Sequence, residues 1–190
     1  MVDFVQDIWD AGDSGPPHPG VTSILQSRDG YLWVGTFGGL ARFDGVQFRA
    51  PDIADPAARA ALSDHIRCIV EAPDGAMWFG TRRWGAVQLK DGHTRMVTPK
   101  DGLPNGEVRA VAFTRDGTVW FATPGGLSAL DSSGRLRQFG TEQGLLSKDI
   151  GSLLVDRDGT LLVGTAQFGI SRFDGTRFES RTMPSSLTRT

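Results

Sequence analysis

The sequence predicts an all-β protein built from four repeats, each of them a four-stranded antiparallel sheet. The stretch Asp29–Gly45, DGYLWVGTFGGLARFDG, returns three times, with its Asp-Gly pair at Asp74, Asp116 and Asp158. The intervals are 45, 42 and 42 residues, and a fixed period in this range indicates a repeat architecture. Small meander sheets at such a period are typical of β-propeller blades. Four blades predict an incomplete ring, or a ring completed by an oligomer.

Each repeat has the same order of turns and strands. The glycine of the Asp-Gly pair allows a hairpin turn, and an apolar run such as Leu32–Val34 follows. A second glycine turn leads to an alternating run such as Leu40–Phe43, and a third turn leads to a last short strand such as Val46–Arg49. One more strand precedes each Asp-Gly pair: Val21–Gln26, Ile66–Glu71, Val108–Phe113 and Ile150–Val155.

The repeats divide the chain into consecutive segments. Residues 1–19 are expected to hold a lone outer strand and a Pro-rich connection. The blades are expected at residues 20–61, 62–103, 104–145 and 146–180, and residues 181–190 form a loose tail. Between the first and second repeats, Ala54–Leu62 predicts a short helix, because Asp55 can cap it and Pro56 suits the first helical position.

Composition excludes several classes of protein. The net charge of −2 gives no reason to expect a nucleic-acid partner or membrane contact. Cys68 is the only cysteine, so no internal disulfide can form, and the three histidines stand in unlike contexts. We therefore expect no metal or other cofactor. No apolar run is long enough to span a membrane and no leader opens the sequence, so the chain is expected to be cytosolic or to begin after a removed leader.

Aligning the repeats on Asp-Gly gives columns with a chemical meaning. One column of the first strands holds small residues and predicts crowding beside a central channel: Ser23, Cys68, Ala110 and Ser152. In it, Cys68 is expected to be unreactive. The column of Trp33, Trp78 and Trp120 favours packing between neighbouring blades over a carbohydrate platform. The Asp-Gly pairs lack the oxygen spacing of calcium loops.

The candidate binding residues lie at one end of the blades. Arg67 and Arg109 share a column on the channel wall, where a solvated wall is favoured over an anion-attracting channel. The residue before the first strand and the loop between the second and third strands are predicted to meet at this end, which joins Glu107 to Arg82–Trp84 and Phe168. Variable loops on a repeated scaffold commonly carry binding sites. Arg82–Trp84 is either such a site or a loop whose Trp covers its own blade.

Repeats that read GLP…V…DG.LW.GT..GGL..FDG..F resemble the two-component regulator propeller family over about Val21–Phe178. The resemblance implies a periplasmic or extracellular sensor propeller ahead of a membrane segment and a histidine kinase or diguanylate cyclase. The chain departs from the family pattern in having four repeats and no output part. It also has Leu162 where Trp is expected and Ala122 where Gly is expected.

The expected function is a non-catalytic ligand-sensing module of a bacterial signalling receptor, since no nucleophile elbow, phosphate loop or metal cluster occurs. The expected ligand is a small anionic or polyhydroxylated molecule, bound by Arg67, Arg82, Arg83, Trp84, Glu107, Arg109 and Phe168. Two alternatives stay open. Residues 116–136 also look like streptogramin lyase-type repeats, whose chemistry would need a metal and a base such as His65 with Glu107. The third class is a protein-interaction scaffold.

Four blades would leave two flat apolar faces uncovered, which is unfavourable for a repeat protein. The sequence therefore predicts either a homodimeric ring of eight blades or the remaining blades of a longer propeller. The outer strand at Phe4–Trp9 is expected to pair with the last blade of a partner.

Overall fold

Four four-stranded antiparallel sheets, each a simple up-and-down meander, make up the fold, as the repeats predict. A computed structural model describes residues 9–11 and 15–181. Of the expected outer strand at Phe4–Trp9, only Trp9 is among the described residues. Of the loose tail at 181–190, only Arg181 is described. No helix in the described ranges has the length and apolar character needed to cross a membrane.

The four blades have nearly equal strand lengths, and their bounds follow in chain order. Blade 1 consists of β1 Val21–Gln26, β2 Leu32–Thr36, β3 Gly39–Phe43 and β4 Phe48–Arg49. Blade 2 consists of β5 Ile66–Glu71, β6 Met77–Thr81, β7 Ala86–Lys90 and β8 His93–Val97. Blade 3 consists of β9 Ala110–Phe113, β10 Val119–Thr123, β11 Gly126–Leu130 and β12 Leu136–Phe139. Blade 4 consists of β13 Ile150–Val155, β14 Leu161–Thr165, β15 Gly169–Phe173 and β16 Phe178–Arg181.

The connections between blades are short and mostly as expected. Helix α1, Pro56–Leu62, confirms the predicted helix, with Asp55 capping the amide of Ala57 at 2.9 Å. Two further single turns of 3₁₀-helix, at Pro99–Asp101 and Thr141–Gln143, lead out of blades 2 and 3. Each of them ends at a glycine with positive φ, Gly102 or Gly144.

Two predicted strands are shorter than expected. Strand β9 begins at Ala110 and not at Val108, because the Val108 amide donates to the carbonyl of Thr81 in the preceding blade. Strand β4 is confined to Phe48–Arg49, because the Asp44 carboxylate accepts the amides of the next residues and extends the turn to Gln47. In both places a tertiary or side-chain hydrogen bond replaces a ladder bond.

The Asp-Gly turns are three-residue loops. In blade 1 the amide of Gly30 donates to the Ser27 carbonyl at 2.8 Å, and the amide of Ser27 donates to the Tyr31 carbonyl at 2.9 Å. Gly30 has φ of 91°, a left-handed conformation that costs glycine little. These turns all lie at one end of the blades, which we call the lower face.

The hydrophobic core consists of three layers, one between each pair of neighbouring blades. The ring of Trp33 lies 5.4 Å from that of Phe79, and the ring of Trp78 lies 5.4 Å from that of Phe121. Trp120 contacts Phe173 of blade 4 at 5.0 Å. The prediction that these tryptophans pack between blades is confirmed. Leu162, the fourth member of the column, faces no further blade among the described residues.

A β-bulge interrupts the first strand of three blades. The register between first and second strands shifts between Val21 and Ser23, between Ile66 and Cys68, and between Ile150 and Ser152. The extra residue is Thr22, Arg67 or Gly151. A bulge re-aims a side chain away from the alternation of a regular strand. Columns aligned from the sequence rest on strict alternation along each strand, so they do not predict this bulge.

Both end faces of the arc remain partly open. On blade 4, Leu154 and Ile170 are 60% and 44% exposed, although Ala112 and Leu127 at the equivalent positions of blade 3 are buried against blade 4. On blade 1, Ile24 is 61% exposed. The exposure of these aliphatic side chains shows that the four blades do not close a ring among themselves.

Candidate ligand-binding site

The Gly-Thr pair of each repeat shapes the loop between the second and third strands. In blade 2 the Thr81 hydroxyl donates to the Gly85 carbonyl at 2.9 Å and accepts from the Trp84 amide at 2.9 Å. The equivalent threonines of the other blades close their loops in the same way. These loops and the residues before each first strand share one end of the blades, which we call the upper face.

Asp64 organises the Arg82–Trp84 loop. Its Oδ2 accepts from Arg83 Nε at 2.8 Å, from Arg83 Nη2 at 2.7 Å and from the Trp84 indole at 3.1 Å. Partial burial opposes ionisation of this carboxyl, yet the hydrogen bonds from the His65 amide, Arg83 and Trp84 hold its pKa below the ordinary value. The loop is therefore held over blade 2 while 44% of Trp84 stays exposed.

A cavity of about 560 Å³ opens beside this loop and is lined by Phe37, Asp64, His65, Arg82 and Arg83. The ring of His65 meets that of Phe37 edge-on at 4.7 Å, and its Nε2 is buried without a hydrogen-bond partner among the described residues. Burial lowers the pKa of His65, and the positive charges of Arg67 and Arg82 lower it further. The imidazole is therefore neutral near neutral pH and offers one nitrogen as an acceptor.

The second group of predicted residues forms a chain of ion pairs on the channel wall. Arg67 Nη2 lies 2.8 Å from Glu107 Oε1, and the same oxygen lies 3.2 Å from Arg109 Nε. Arg109 Nη1 in turn lies 2.5 Å from Asp149 Oδ1. Each arginine reaches the residue that precedes the first strand of the next blade. The bulge directs Arg67 into this position, and the Thr22 hydroxyl makes the matching contact with the Ile66 carbonyl.

The structure therefore divides the predicted site residues. Arg82 and Arg83 line the cavity, and the Trp84 indole donates to Asp64, which also lines it. Arg67, Glu107 and Arg109 lie together on the channel wall instead. Phe168 is 51% exposed in the equivalent loop of blade 4 and does not line this cavity.

Sequence reasoning missed Asp64 and Asp149 as partners of the arginines. Both are acidic residues at or just before the start of a first strand, at the end of the blade where the cationic loops were predicted. Opposite charge at that shared end was the signal.

Two remaining predictions concern reactive groups. The Cys68 sulfur packs where a Cβ on Gly80 would lie, and burial raises the pKa of this thiol to about 12, which keeps it protonated. No group of three or more His, Cys, Asp or Glu side chains in the described part of the chain could hold a metal ion. His65 and Glu107, the pair considered for a lyase, do not approach within 4.0 Å of each other, since Glu107 is bound to two arginines.

Three segments match the family model described as two component regulator propeller: residues 15–38, 61–83 and 102–125. Each match spans the connection into a blade, the first two strands and the start of the loop on the upper face. No curated protein sequence matches the chain.

Solved structures of similar fold include extracellular domains of signalling systems and a lyase. A chain described as the extracellular domain of a hybrid two component system of B. thetaiotaomicron is 24% identical with a TM-score of 0.77, covering 90% of this chain and 24% of its own. The extracellular domain of a one component system of the same organism is 26% identical with a TM-score of 0.71, covering 87% and 22%. Virginiamycin B lyase from Staphylococcus aureus is 17% identical with a TM-score of 0.67, covering 87% and 56%. The chain thus spans about a quarter of the length of the first two.

Proposed function

We propose that this chain, three segments of which match the two component regulator propeller model, is the ligand-sensing part of a bacterial signalling receptor, lies outside the cytoplasm and has no catalysis of its own. The repeats and the fold shared with extracellular domains of such systems support this role. Any kinase or cyclase output would belong to another part of the receptor.

The observation that carries a binding role is the exposure of aromatic side chains on the upper face. Phe37, which lines the cavity with Arg82 and Arg83, is 51% exposed, and Trp84 in the loop beside it is 44% exposed. An exposed aromatic side chain held next to charged hydrogen-bond donors suits a ligand with both a flat apolar face and polar edges. Asp64 holds the loop in place before any ligand arrives, which lowers the entropy cost of binding.

The charge balance favours a polyhydroxylated ligand over a simple anion. The chain of Arg67, Glu107, Arg109 and Asp149 holds two positive and two negative groups, and Arg83 is paired with Asp64. An anion could pair with Arg82, which has no carboxylate within 4.0 Å in the described ranges, but would have to displace these carboxylates to reach the other arginines. Hydroxyl groups can instead donate to the carboxylates and accept from the arginines, as the upper face offers both kinds of partner side by side.

A thermal-shift screen with neutral oligosaccharides, uronic-acid oligosaccharides and sugar phosphates tests this proposal. We expect a neutral oligosaccharide to raise the melting temperature, and Arg83→Ala and Trp84→Ala to weaken its binding about tenfold or more. Without ligand, both variants should melt close to the wild type, since exposed ion pairs such as Arg83–Asp64 contribute at most about 1 kcal/mol.

The matched control is Arg135→Ala, which removes an exposed arginine from the lower face. This variant should bind as the wild type does. If Arg83→Ala and Trp84→Ala bind with unchanged affinity while Asp91 or Asp174 variants do not, the ligand site lies on the other face and the proposal is wrong.

A further inference from the structure

A cleft lies between blades 2 and 3 on the lower face, away from the Arg82–Trp84 loop. It has a volume of about 650 Å³ and a mostly apolar wall. Trp78 lies among the residues of blade 2 that line it, with Ala72, Gln88 and Arg95, and Leu130 lines it from blade 3. The corresponding clefts between blades 1 and 2 and between blades 3 and 4 are smaller, at about 480 and 330 Å³.

Trp78 presents an unused hydrogen-bond donor to this cleft. Its side chain is nearly buried, at 2% exposure, and its indole nitrogen has no hydrogen-bond partner in the described part of the chain. In blades 1 and 3 the same nitrogen donates to a hydroxyl, from Trp33 to Ser27 at 3.1 Å and from Trp120 to a threonine at 3.0 Å. Blade 2 has Ala72 in that column. Unlike His65 Nε2, this nitrogen is not sealed from solvent, so an acceptor that enters the cleft can reach it.

The chain itself shows which kind of group fits over this column of tryptophans. Over Trp33, the guanidinium of Arg42 lies 5.7 Å from the Trp ring and 4.1 Å from the ring of Tyr31. Over Trp120, the ring of Phe173 lies at 5.0 Å. Both occupants are planar.

The same positions around Trp78 hold smaller or non-planar side chains. Ala76 stands where blade 1 has Tyr31, Gln88 stands where it has Arg42, and Leu130 stands where blade 4 has Phe173. Gln88 and Leu130 line the cleft, so these side chains enlarge it, while the Trp78 ring stays as buried as that of Trp120.

The charges at the rim favour an acceptor that is negative. Asp74 is paired with Lys90 at 2.6 Å, and Asp131 accepts the amides of Ser133 and Arg135. Arg95 also lines the cleft and has no carboxylate within 4.0 Å in the described ranges. The rim therefore holds two carboxylates that are already engaged and a guanidinium that is free to pair.

We propose that this cleft is a second ligand site, which binds a small planar aromatic carboxylate. The ring packs on the apolar wall beside Trp78, in the space that Tyr31, Arg42 and Phe173 occupy elsewhere. A carboxylate oxygen accepts the indole proton, as the Ser27 hydroxyl does in blade 1, and Arg95 neutralises the charge. This site is separate from the upper face and does not depend on what binds there.

The test follows the indole N–H signals of the ¹⁵N-labelled protein during titration with 4-hydroxybenzoate. We expect a saturable shift of the Trp78 signal, assigned by its loss in Trp78→Phe, and little change in the Trp33, Trp84 and Trp120 signals. Cyclohexanecarboxylate has the same charge without a planar ring, and acetate has the charge alone. Both should bind at least about tenfold more weakly, because neither has a flat ring that can lie against the apolar wall.

Two variants fill the site with groups that the chain uses in blade 1. Ala72→Ser supplies the missing hydroxyl partner and should weaken 4-hydroxybenzoate binding about fivefold or more. Gln88→Arg installs the equivalent of Arg42 and should weaken it further, whereas Arg83→Ala on the upper face should leave it unchanged. The proposal is overturned if the Trp78 signal does not shift saturably, if cyclohexanecarboxylate shifts it equally, or if Ala72→Ser binds as the wild type does.

Discussion

At the scale of single residues, His65 makes the fold sensitive to pH. Burial lowers the pKa of its imidazole below 6.5 in the folded state, and Arg67 and Arg82 add to the effect against the opposing charges of Asp64 and Glu107. As the pH falls, His65 therefore takes up its proton at a higher pH in the unfolded chain than in the folded one. The stability contributed by neutral His65 is therefore full above about pH 6.5 and is lost as the pH falls through the folded-state pKa.

We expect the free energy of unfolding to decrease between about pH 7 and pH 5, and His65→Gln to lose less of it over the same range. Denaturant titrations at each pH measure this. His93→Gln serves as the control, because His93 is exposed. An identical pH slope in wild type and His65→Gln would contradict the prediction.

At the scale of the element, the loop between β6 and β7 depends on one hydroxyl. Thr81 is fully buried, and its Oγ1 satisfies both the Gly85 carbonyl and the Trp84 amide. Thr81→Val keeps the shape but leaves both groups without a partner, so we expect a loss of about 1–3 kcal/mol of stability. Hydrogen exchange at the Trp84 amide should accelerate more than exchange within β5. Unchanged protection at Trp84 would show that the hydroxyl does not hold the loop.

The layers between blades have a second measurable consequence. Trp78 is 2% exposed and packs on Phe121, so Trp78→Ala should lose about 3–5 kcal/mol of stability. Trp84→Ala on the upper face removes a side chain of the same size that is 44% exposed, and it should lose much less. Thermal or urea unfolding compares the two. A Trp78→Ala variant that melts within a degree or two of wild type would return the carbohydrate-platform interpretation of this column.

Much of the secondary structure could be predicted from the sequence, because every repeat contains the same turns. Glycine positions, the Asp55 cap and the Trp column all follow from local chemistry, and all are present in the structure. The contacts of Arg67 and Arg109 were not predictable in the same way. Arg67 depends on a bulge and on Glu107 in the next blade, and Arg109 depends on Asp149 in the next blade. A side chain that crosses between repeats leaves no periodic signal. Asp64 bonds the loop of its own blade, where opposite charge was the only signal.

At the scale of the whole molecule, the open end faces predict association. Leu154 and Ile170 on blade 4 and Ile24 on blade 1 are exposed where the inner blades bury the same positions. Further blades, from a second copy or from a longer chain, are expected to cover them. We expect the isolated 190-residue chain to sediment as a dimer or larger species, and Leu154→Glu to shift it toward monomer. A stable wild-type monomer by light scattering would contradict self-association through these faces.

The side-chain contacts along the channel wall, one hydrogen bond and the ion pairs, run in one direction along the chain. Thr22 reaches blade 2, Arg67 reaches blade 3 and Arg109 reaches blade 4, so three seams in succession are fastened by a side chain from the preceding blade. Gly151 occupies this position in blade 4 and has no side chain to extend. A blade that packs on the fourth would lack such a side-chain contact. Under mechanical or thermal load we expect that interface to separate first, while the three interfaces within blades 1–4 stay intact.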